Sequence, residues 1–138
     1  MQNHPMNRFV LPLFAASVAL MGCEGNTRQI YFIANETSGP VTVLHAHSSY
    51  IQGMALDTVT VPAGERQELG MEDWLGGRID PDLPTAFIDT LLIYNEGGAL
   101  TDRDWTLMET WEIESFEDRK IPSQWRHEYT IEVTDSDF

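Results

Sequence analysis

Short runs of β-branched and aromatic residues, separated by turn residues, dominate the chain after residue 28. Six such runs are 29–34, 41–47, 57–61, 65–69, 86–94 and 126–134. In the third run, Val59 and Val61 alternate with Thr58 and Thr60, a period of two that places the valines in a core and the threonines in water. Many short strands with almost no helix predict an all-β fold. We expect an antiparallel β-sandwich of roughly seven strands over residues 29–138.

The run 86–94 is the best candidate for a central strand. It carries apolar residues on both faces, as strands buried on both sides do. We expect Leu91 and Ile93 to point into the core and the segment 88–93 to be flanked by strands on both sides.

Two segments do not fit a simple strand pattern. Residues 70–83 contain three glycines and a proline and are predicted to form a long loop with one helical turn. Residues 101–111 fit a helix or a strand. Helical spacing aligns Trp105, Met108 and Trp111, whereas strand spacing aligns Trp105, Leu107, Trp111 and Ile113. We favour a strand for residues 108–116.

The N-terminus has the layout of a secretory signal. Arg8 is followed by the apolar segment 9–21, which as a helix would span roughly 20 Å, less than the ~30 Å hydrocarbon core of a bilayer. A short membrane span and a buried core segment are the alternatives, and a signal peptide is favoured.

The end of this apolar segment, Leu20-Met21-Gly22-Cys23, resembles the lipobox of bacterial lipoproteins. The resemblance implies a signal peptide at residues 1–22, cleavage between Gly22 and Cys23, and a diacylglyceryl group on the Cys23 thiol. Met21 departs from the more usual Ala or Ser. Two or three acyl chains would hold the protein on a membrane.

Cys23 is the only cysteine, so no internal disulfide can form, and a lipidated thiol cannot serve catalysis or metal binding. Residues 23–28 are polar and are expected to form a free tether. Glu24, rather than Asp, follows the cysteine, which favours the outer membrane and leaves its face undetermined.

A second resemblance concerns the mature domain. Segments 30–43, 86–98 and 129–138 are similar to the first hairpin, the strand with its acidic-glycine turn, and the closing strand of small bacterial lipoproteins of uncharacterised function. The lysine often found after that glycine turn is missing. The resemblance implies a β-sandwich and transfers no catalytic residue.

The charge excludes one class of function. After Cys23 the chain holds seven Lys and Arg against 22 Asp and Glu, and so a net charge of −15 with histidine neutral. Such a domain repels the phosphates of nucleic acids and of anionic lipid head groups, so no nucleic-acid partner is expected.

His45 and His47 are the sharpest candidates for a metal site. In a strand both imidazoles lie on one face, and His127 or a carboxylate could be a third ligand. Their face also carries Val41 and Val43, so packing is the favoured interpretation. We predict no metal and no cofactor.

Other candidates are a platform for sugar stacking and calcium-binding turns. The platform would use the four tryptophans, Trp74, Trp105, Trp111 and Trp125, although core packing is their more usual role. The turns 80–82 and 102–104 hold paired aspartates without a full calcium-loop pattern, so they are interpreted as solvated turns.

Together these features favour a lipid-anchored envelope lipoprotein without enzymatic activity, acting as a binding or accessory module for an envelope protein or a glycan. The ligand is not specified by the sequence. The alternative is an envelope hydrolase that uses acidic residues, for example on glycans.

Overall fold

The computed structural model describes residues 25–47 and 56–138, so the predicted signal peptide and Cys23 lie outside the described residues. These residues form an all-β fold, as predicted. The seven strands are β1 (Asn26–Asn35), β2 (Val41–His47), β3 (Leu56–Val61), β4 (Arg66–Leu75), β5 (Ile88–Tyr94), β6 (Glu112–Arg119) and β7 (Gln124–Val133). Three single 3-10 turns cover Pro84–Ala86, Met108–Thr110 and Asp135–Asp137. No helix in these ranges is long and apolar enough to cross a bilayer.

The strands form two sheets with the orders β4-β1-β7-β6 and β3-β2-β5. All neighbours are antiparallel except β1 and β7, which run parallel from the pair Asn26 and Gln124 to the pair Asn35 and Val133. A parallel pair needs a long crossover, and here the whole second sheet lies between the two strands in the sequence. The purely antiparallel sandwich that we expected is therefore corrected at this pair.

The core lies between the inner faces of the two sheets. The Tyr31 ring stacks on Tyr129 and Phe87, with centroids 4.7 and 5.1 Å apart, and meets Trp111 edge-on at 6.0 Å. The aliphatic core residues are Ile33, Val41, Val43, Val61, Leu69, Ile88, Leu91, Ile93, Ile131 and Val133. Val61 is buried, Val59 packs against this core, and Thr58 and Thr60 are exposed, which confirms the predicted faces of β3.

The position predicted for the 88–93 strand is wrong. Leu91 and Ile93 are buried as expected, but among the described strands only β2 pairs with β5, which forms the edge of the three-stranded sheet. Asp89 has no cross-strand partner, since Thr90 pairs with Ala46 and Ile88 pairs with His47. This bulge turns both Ile88 and Leu91 inward, three positions apart. The apolar residues at even and odd positions of this run are therefore explained by the bulge at Asp89 and not by burial of both faces of a central strand.

Strand β4 is longer than predicted. It continues through Leu75, so the loop expected at 70–83 is wrong for residues 70–75, and the only 3-10 turn nearby begins at Pro84. A register shift opposite Tyr31 and Phe32 lets β4 stay paired with β1 past Gly70. The strand then stops at Gly76 and Gly77, whose φ values of 109° and 96° suit glycine.

The free tether expected at 23–28 is wrong for residues 26–28. Strand β1 begins at Asn26, and Thr27 is fully buried. The backbone of residues 26–28 pairs with β4 on one side and β7 on the other, and these hydrogen bonds hold the segment in the sheet although its side chains are polar.

The strand expected at 108–116 is confirmed from Glu112 onward and wrong before it. Residues Met108–Thr110 form a 3-10 turn, and β6 then runs from Glu112 to Arg119. Trp111, between the two, is buried in the core, and its Nε1 donates to the Trp105 carbonyl at 2.7 Å. The bond joins two residues six positions apart on either side of the 3-10 turn, and neither the predicted helix nor the predicted strand forms over residues 105–110.

Candidate functional site

One end of the sandwich surrounds the point where the N-terminal segment joins the domain. Strands β1 and β7 begin there, and β4 and β6 end there. We call this the Gly25 end. The Gly25 carbonyl accepts from the Gly76 N–H, and the Asn26 N–H donates to the Ser123 carbonyl, both at 2.9 Å. The chain thus enters the sheet between the end of β4 and the β6–β7 turn.

Glycine is required at position 25 because of this close approach. A Cβ added there would lie 2.2 Å from the Ser123 carbonyl oxygen. Cys23 is two residues before Gly25, so its Cα can be no more than about 7 Å from that of Gly25.

The segment 76–83 covers the inner face of the four-stranded sheet at the Gly25 end. The Thr27 hydroxyl donates to the Gly77 carbonyl at 2.7 Å and accepts from the Ile79 N–H at 3.0 Å. The Tyr129 hydroxyl donates to the Asp82 carbonyl at 3.0 Å. Burial raises the pKa of Tyr129 to about 12, so this hydroxyl keeps its proton at neutral pH. These bonds hold the end of the domain closed.

His127 also holds segment 76–83 in place. The sequence analysis named this residue only as a possible metal ligand and did not predict its burial. His127 Nε2 lies 2.7 Å from the Ile79 carbonyl and must donate to it, so Nδ1, 2.8 Å from the Ser115 Oγ, accepts the hydroxyl proton. A nucleophilic serine needs a histidine oriented by an acid, whereas a carbonyl occupies that place here. The signal was available, because His127 continues the alternation of Tyr129 and Ile131.

The surface of the Gly25 end carries exposed apolar side chains. Leu75 is 81% exposed and Ile121 is 80% exposed, the two highest values among the large apolar residues that the structure describes. Leu75 pairs across β1 with Asn26, and Ile121 lies in the β6–β7 turn. Leu75 directly precedes Gly76, which donates to the Gly25 carbonyl, and Ile121 is two residues before Ser123, which accepts from the Asn26 N–H.

Basic residues at this end are matched by acids, since Glu72, Asp73, Asp80, Asp82, Glu117 and Asp118 lie at the same strand ends and the loops that follow them. Five of the seven Lys and Arg after Cys23 lie within a few residues of the strand ends there: Arg28, Arg78, Arg119, Lys120 and Arg126. Three of them form ion pairs with Asp73, Asp80 and Asp118. Arg119 and Lys120 are in no ion pair with any described residue, and the Arg119 Nε donates to the Ile121 carbonyl at 2.9 Å.

The opposite end of the sandwich, where β1 and β7 finish, is acidic. Its carboxylates are Glu36, Glu65, Glu96, Asp102, Asp135 and Asp137. One of the few bases nearby, Arg103, donates its Nε to Asp137 at 3.0 Å. Hydrogen bonds from Thr134 and Arg103 lower the pKa of Asp137 despite its partial burial. The two ends therefore differ in degree, since six acids accompany five bases at the Gly25 end, whereas six acids accompany only Arg66 and Arg103 here.

His45 and His47 lie together, as predicted. His45 Nδ1 is 3.0 Å from His47 Nε2, which is also 2.8 Å from the Leu69 carbonyl of the other sheet. The proton on His47 Nε2 is shared between these two acceptors, and burial, followed by the proximity of His47, lowers the pKa of His45. His127 bonds elsewhere, and the described residues contain no group of three His, Cys, Asp or Glu suited to a metal. The pair therefore connects the two sheets.

The four tryptophans are not brought together. Trp111 is buried in the core and Trp105 packs against that core, whereas Trp74 and Trp125 lie opposite Thr27 at the Gly25 end. The Arg78 guanidinium lies over the Trp125 ring at 4.4 Å. A single stacking platform of all four is therefore excluded.

Acidic residues converge in one surface hollow of about 310 Å³. Its lining includes Arg103, Glu109, Trp111, Glu112 and Glu132. A second, smaller hollow of about 130 Å³ is also lined by carboxylates, those of Glu96 and Asp135.

No protein-family model matches the chain, and neither a curated protein nor a solved structure is similar to it. The role of the domain must therefore follow from its own residues.

Proposed function

We propose that this protein is a lipid-anchored lipoprotein of the bacterial envelope that acts as a binding or accessory module. The observation that carries the proposal is the spacing between the lipobox and the domain. Cys23 stands only three residues before β1, and β1 is paired on both sides from its first residue. Cleavage before Cys23 would therefore remove the apolar segment and leave the described domain whole.

A lipid anchor at Cys23 also fits the composition. Each buried methylene of an acyl chain contributes about 0.8 kcal/mol, so two or three chains hold a protein of this size firmly. The domain stabilises itself through its apolar core and needs no disulfide, consistent with a single cysteine reserved for lipid. The outer membrane is the proposed location.

The acidic opposite end is the surface proposed to bind a partner. An anchor at Cys23 holds the Gly25 end at the membrane, and the opposite end then points away from it. Glu36 and Glu96 are exposed there and form no ion pair with a described residue. Such unpaired charges favour a partner with a basic surface.

The alternative is an envelope hydrolase whose carboxylates would be those of the hollow lined by Glu109, Glu112 and Glu132. Under this alternative, Glu112→Gln would abolish hydrolysis of envelope glycans by the purified protein. An accessory module would show no such hydrolysis with or without the substitution.

The test is chemical crosslinking in intact bacterial cells, comparing the wild type with a Glu36→Lys/Glu96→Lys variant. Glu117→Lys, an exposed acid on β6, is the matched control. We expect defined adducts with an envelope component in the wild type and the control, and their loss in the double variant. Adducts that are absent, or unchanged in the double variant, would contradict the binding role of the opposite end.

A further inference from the structure

We infer that His45 and His47 form an acid-released clasp between the two sheets. The clasp consists of the two imidazoles and the Leu69 carbonyl that His47 contacts on β4. It is closed when both imidazoles are neutral, and the uptake of one proton releases the His47 ring from its place between the sheets. The clasp does not depend on the proposed lipid anchor, because every group that it uses lies inside the described domain.

The first support is the number of protons that the closed clasp holds. The Leu69 carbonyl can only accept, so His47 Nε2, at 2.8 Å, must carry a proton. His45 Nδ1, at 3.0 Å from the same nitrogen, is then the second acceptor and carries none. The remaining ring nitrogen of His47, Nδ1, is buried and has no hydrogen-bond partner among the described residues. The closed clasp therefore has one N–H between the rings and no acceptor for another.

An added proton does not fit this arrangement. On His45 Nδ1 it would face the N–H of His47 across 3.0 Å. His47 Nε2 can become the acceptor only if it gives up the Leu69 carbonyl and its proton moves to Nδ1, which has no partner. A buried N–H without an acceptor is costly, and more so on a charged ring. The protonated pair must therefore separate or turn toward water.

The second support is the space that the His47 ring fills. A Cβ added at Gly70 would lie 2.8 Å from the Cε1 and Nε2 atoms of His47, so the ring lies directly against the β4 backbone. Its centroid is 4.5 Å from that of the Phe87 ring, and Phe87 in turn stacks on Tyr31. When His47 leaves this place, Gly70 and the contacting side of Phe87 lose their cover.

The third support is the position of His47 in β2. It is the last residue of the strand, and the register of β2 against β5 shifts between Ala46 and His47. Among the described residues, β3 pairs with β2 only as far as Ala46. The regular pairing of β2 thus ends where the clasp begins, so this end can open while the rest of β2 stays paired on both sides.

The charges around the clasp favour its release in acid. Asp57 lies opposite His45 on β3 and favours the charged imidazole, but burial and the proximity of His47 outweigh it and lower the pKa of His45 below 6.5. The other titratable groups at adjoining positions are Asp89 of β5, Glu68 and Glu72 of β4, and Tyr31 of β1. None of these is hydrogen-bonded to either imidazole among the described residues. The clasp is therefore complete above pH 6.5 and is lost as the pH falls toward the lowered pKa of His45.

The test is amide hydrogen exchange in the full-length protein, measured by nuclear magnetic resonance between pH 7 and pH 5 and corrected for the intrinsic rate at each pH. The Phe87 N–H, which donates to the Pro84 carbonyl, reports on the clasp, and Ile131 on the doubly paired β7 is the control. We expect the protection of Phe87 to fall by up to about tenfold for each pH unit below 6.5, because one proton is taken up. Low concentrations of urea should leave it unchanged and should lower the protection of Ile131, because local opening exposes little surface.

Two variants separate the proton from the packing. In His45→Asn/His47→Gln, an amide donor faces the Leu69 carbonyl and an amide oxygen replaces His45 Nδ1, so the protection of Phe87 should not depend on pH. His127 is retained in this variant and serves as an internal control for the remaining buried histidine. Gly70→Ala displaces the His47 ring, so at pH 7 it should already show the low protection that the wild type reaches at pH 5.

Three results would overturn the clasp. The first is a protection of Phe87 in the wild type that does not change between pH 7 and pH 5. The second is the same fall in the wild type and in the double variant, and if the double variant does not fold, wild-type protection in Gly70→Ala at pH 7 decides in its place. The third is equal protection and equal urea dependence for Phe87 and Ile131, which would mean that acid acts only through unfolding of the whole domain.

Discussion

At the scale of single residues, buried polar side chains hold the loops of this domain in place. Asn35 is fully buried, and its Nδ2 donates to the carbonyls of Gly39 and Val61 at 3.0 and 2.8 Å. Its Oδ1 accepts from the backbone and hydroxyl of Thr37. One side chain thus connects the β1–β2 turn to the end of β3. Sequence reasoning found the turn, but the burial of its first residue depends on distant strands.

Asn35→Asp should destabilise the domain strongly. The substitution keeps the shape but replaces two donors with a carboxylate that faces two carbonyl oxygens in a buried site. We expect a loss of roughly 3 kcal/mol or more in the free energy of unfolding, measured by urea titration at pH 7. Asn95→Asp is the control, since its Oδ1 accepts from the Ala99 N–H and that bond survives. Equal midpoints for the two variants would refute the role of Asn35.

The His45–His47 pair should make stability depend on pH. Burial lowers the pKa of His45 below its ordinary value of 6.5, so the unfolded chain binds more protons than the folded chain at acidic pH. The stability gained from a neutral His45 is complete above pH 6.5 and is lost as pH falls from there toward the lowered pKa. The thermal unfolding midpoint should therefore fall less between pH 7 and pH 5 for His45→Asn than for the wild type. Parallel pH profiles would contradict this.

At the scale of elements, the apolar pattern determined which segments are strands but not their partners. The alternation in β3 and β7 predicted their inner faces correctly, because one face of each is buried. The parallel pairing of β1 with β7 and the edge position of β5 depend on contacts between remote segments, which no local pattern encodes. The tether was misjudged for the same reason, since Thr27 pairs with β4 and β7 and bonds to segment 76–83, all of which are remote in the sequence.

Truncation in β5 tests the core at this scale. Leu91→Ala should cost roughly 2–5 kcal/mol, because Leu91 is 2% exposed and the edge strand has few means to close the cavity. Thr58→Ala on the exposed face of β3 should cost much less. Circular dichroism during urea unfolding measures both. The same midpoint for both variants would contradict the assignment of the inner face of this sheet.

At the scale of the whole molecule, the bases of the domain are unevenly distributed between its two ends. Composition predicted a strongly acidic protein, but only the topology shows that β1, β4, β6 and β7 bring most of the bases to one end. The lipobox could be found from the sequence because it is a local motif. The site around it could not, because Leu75 and Ile121 become neighbours of Gly25 only through strand pairing.

The most direct test of the proposed anchor compares Cys23→Ser with the wild type in a bacterial host. After cell disruption and a wash at high salt, wild-type protein should remain with the membranes. The variant should be soluble or remain as the longer precursor, because serine offers no thiol for the diacylglyceryl group. Gly22→Ala keeps a small residue before the cysteine and should behave like the wild type. Equal membrane partition of wild type and Cys23→Ser, with the same mature size, would contradict the lipid anchor on which the proposed function depends.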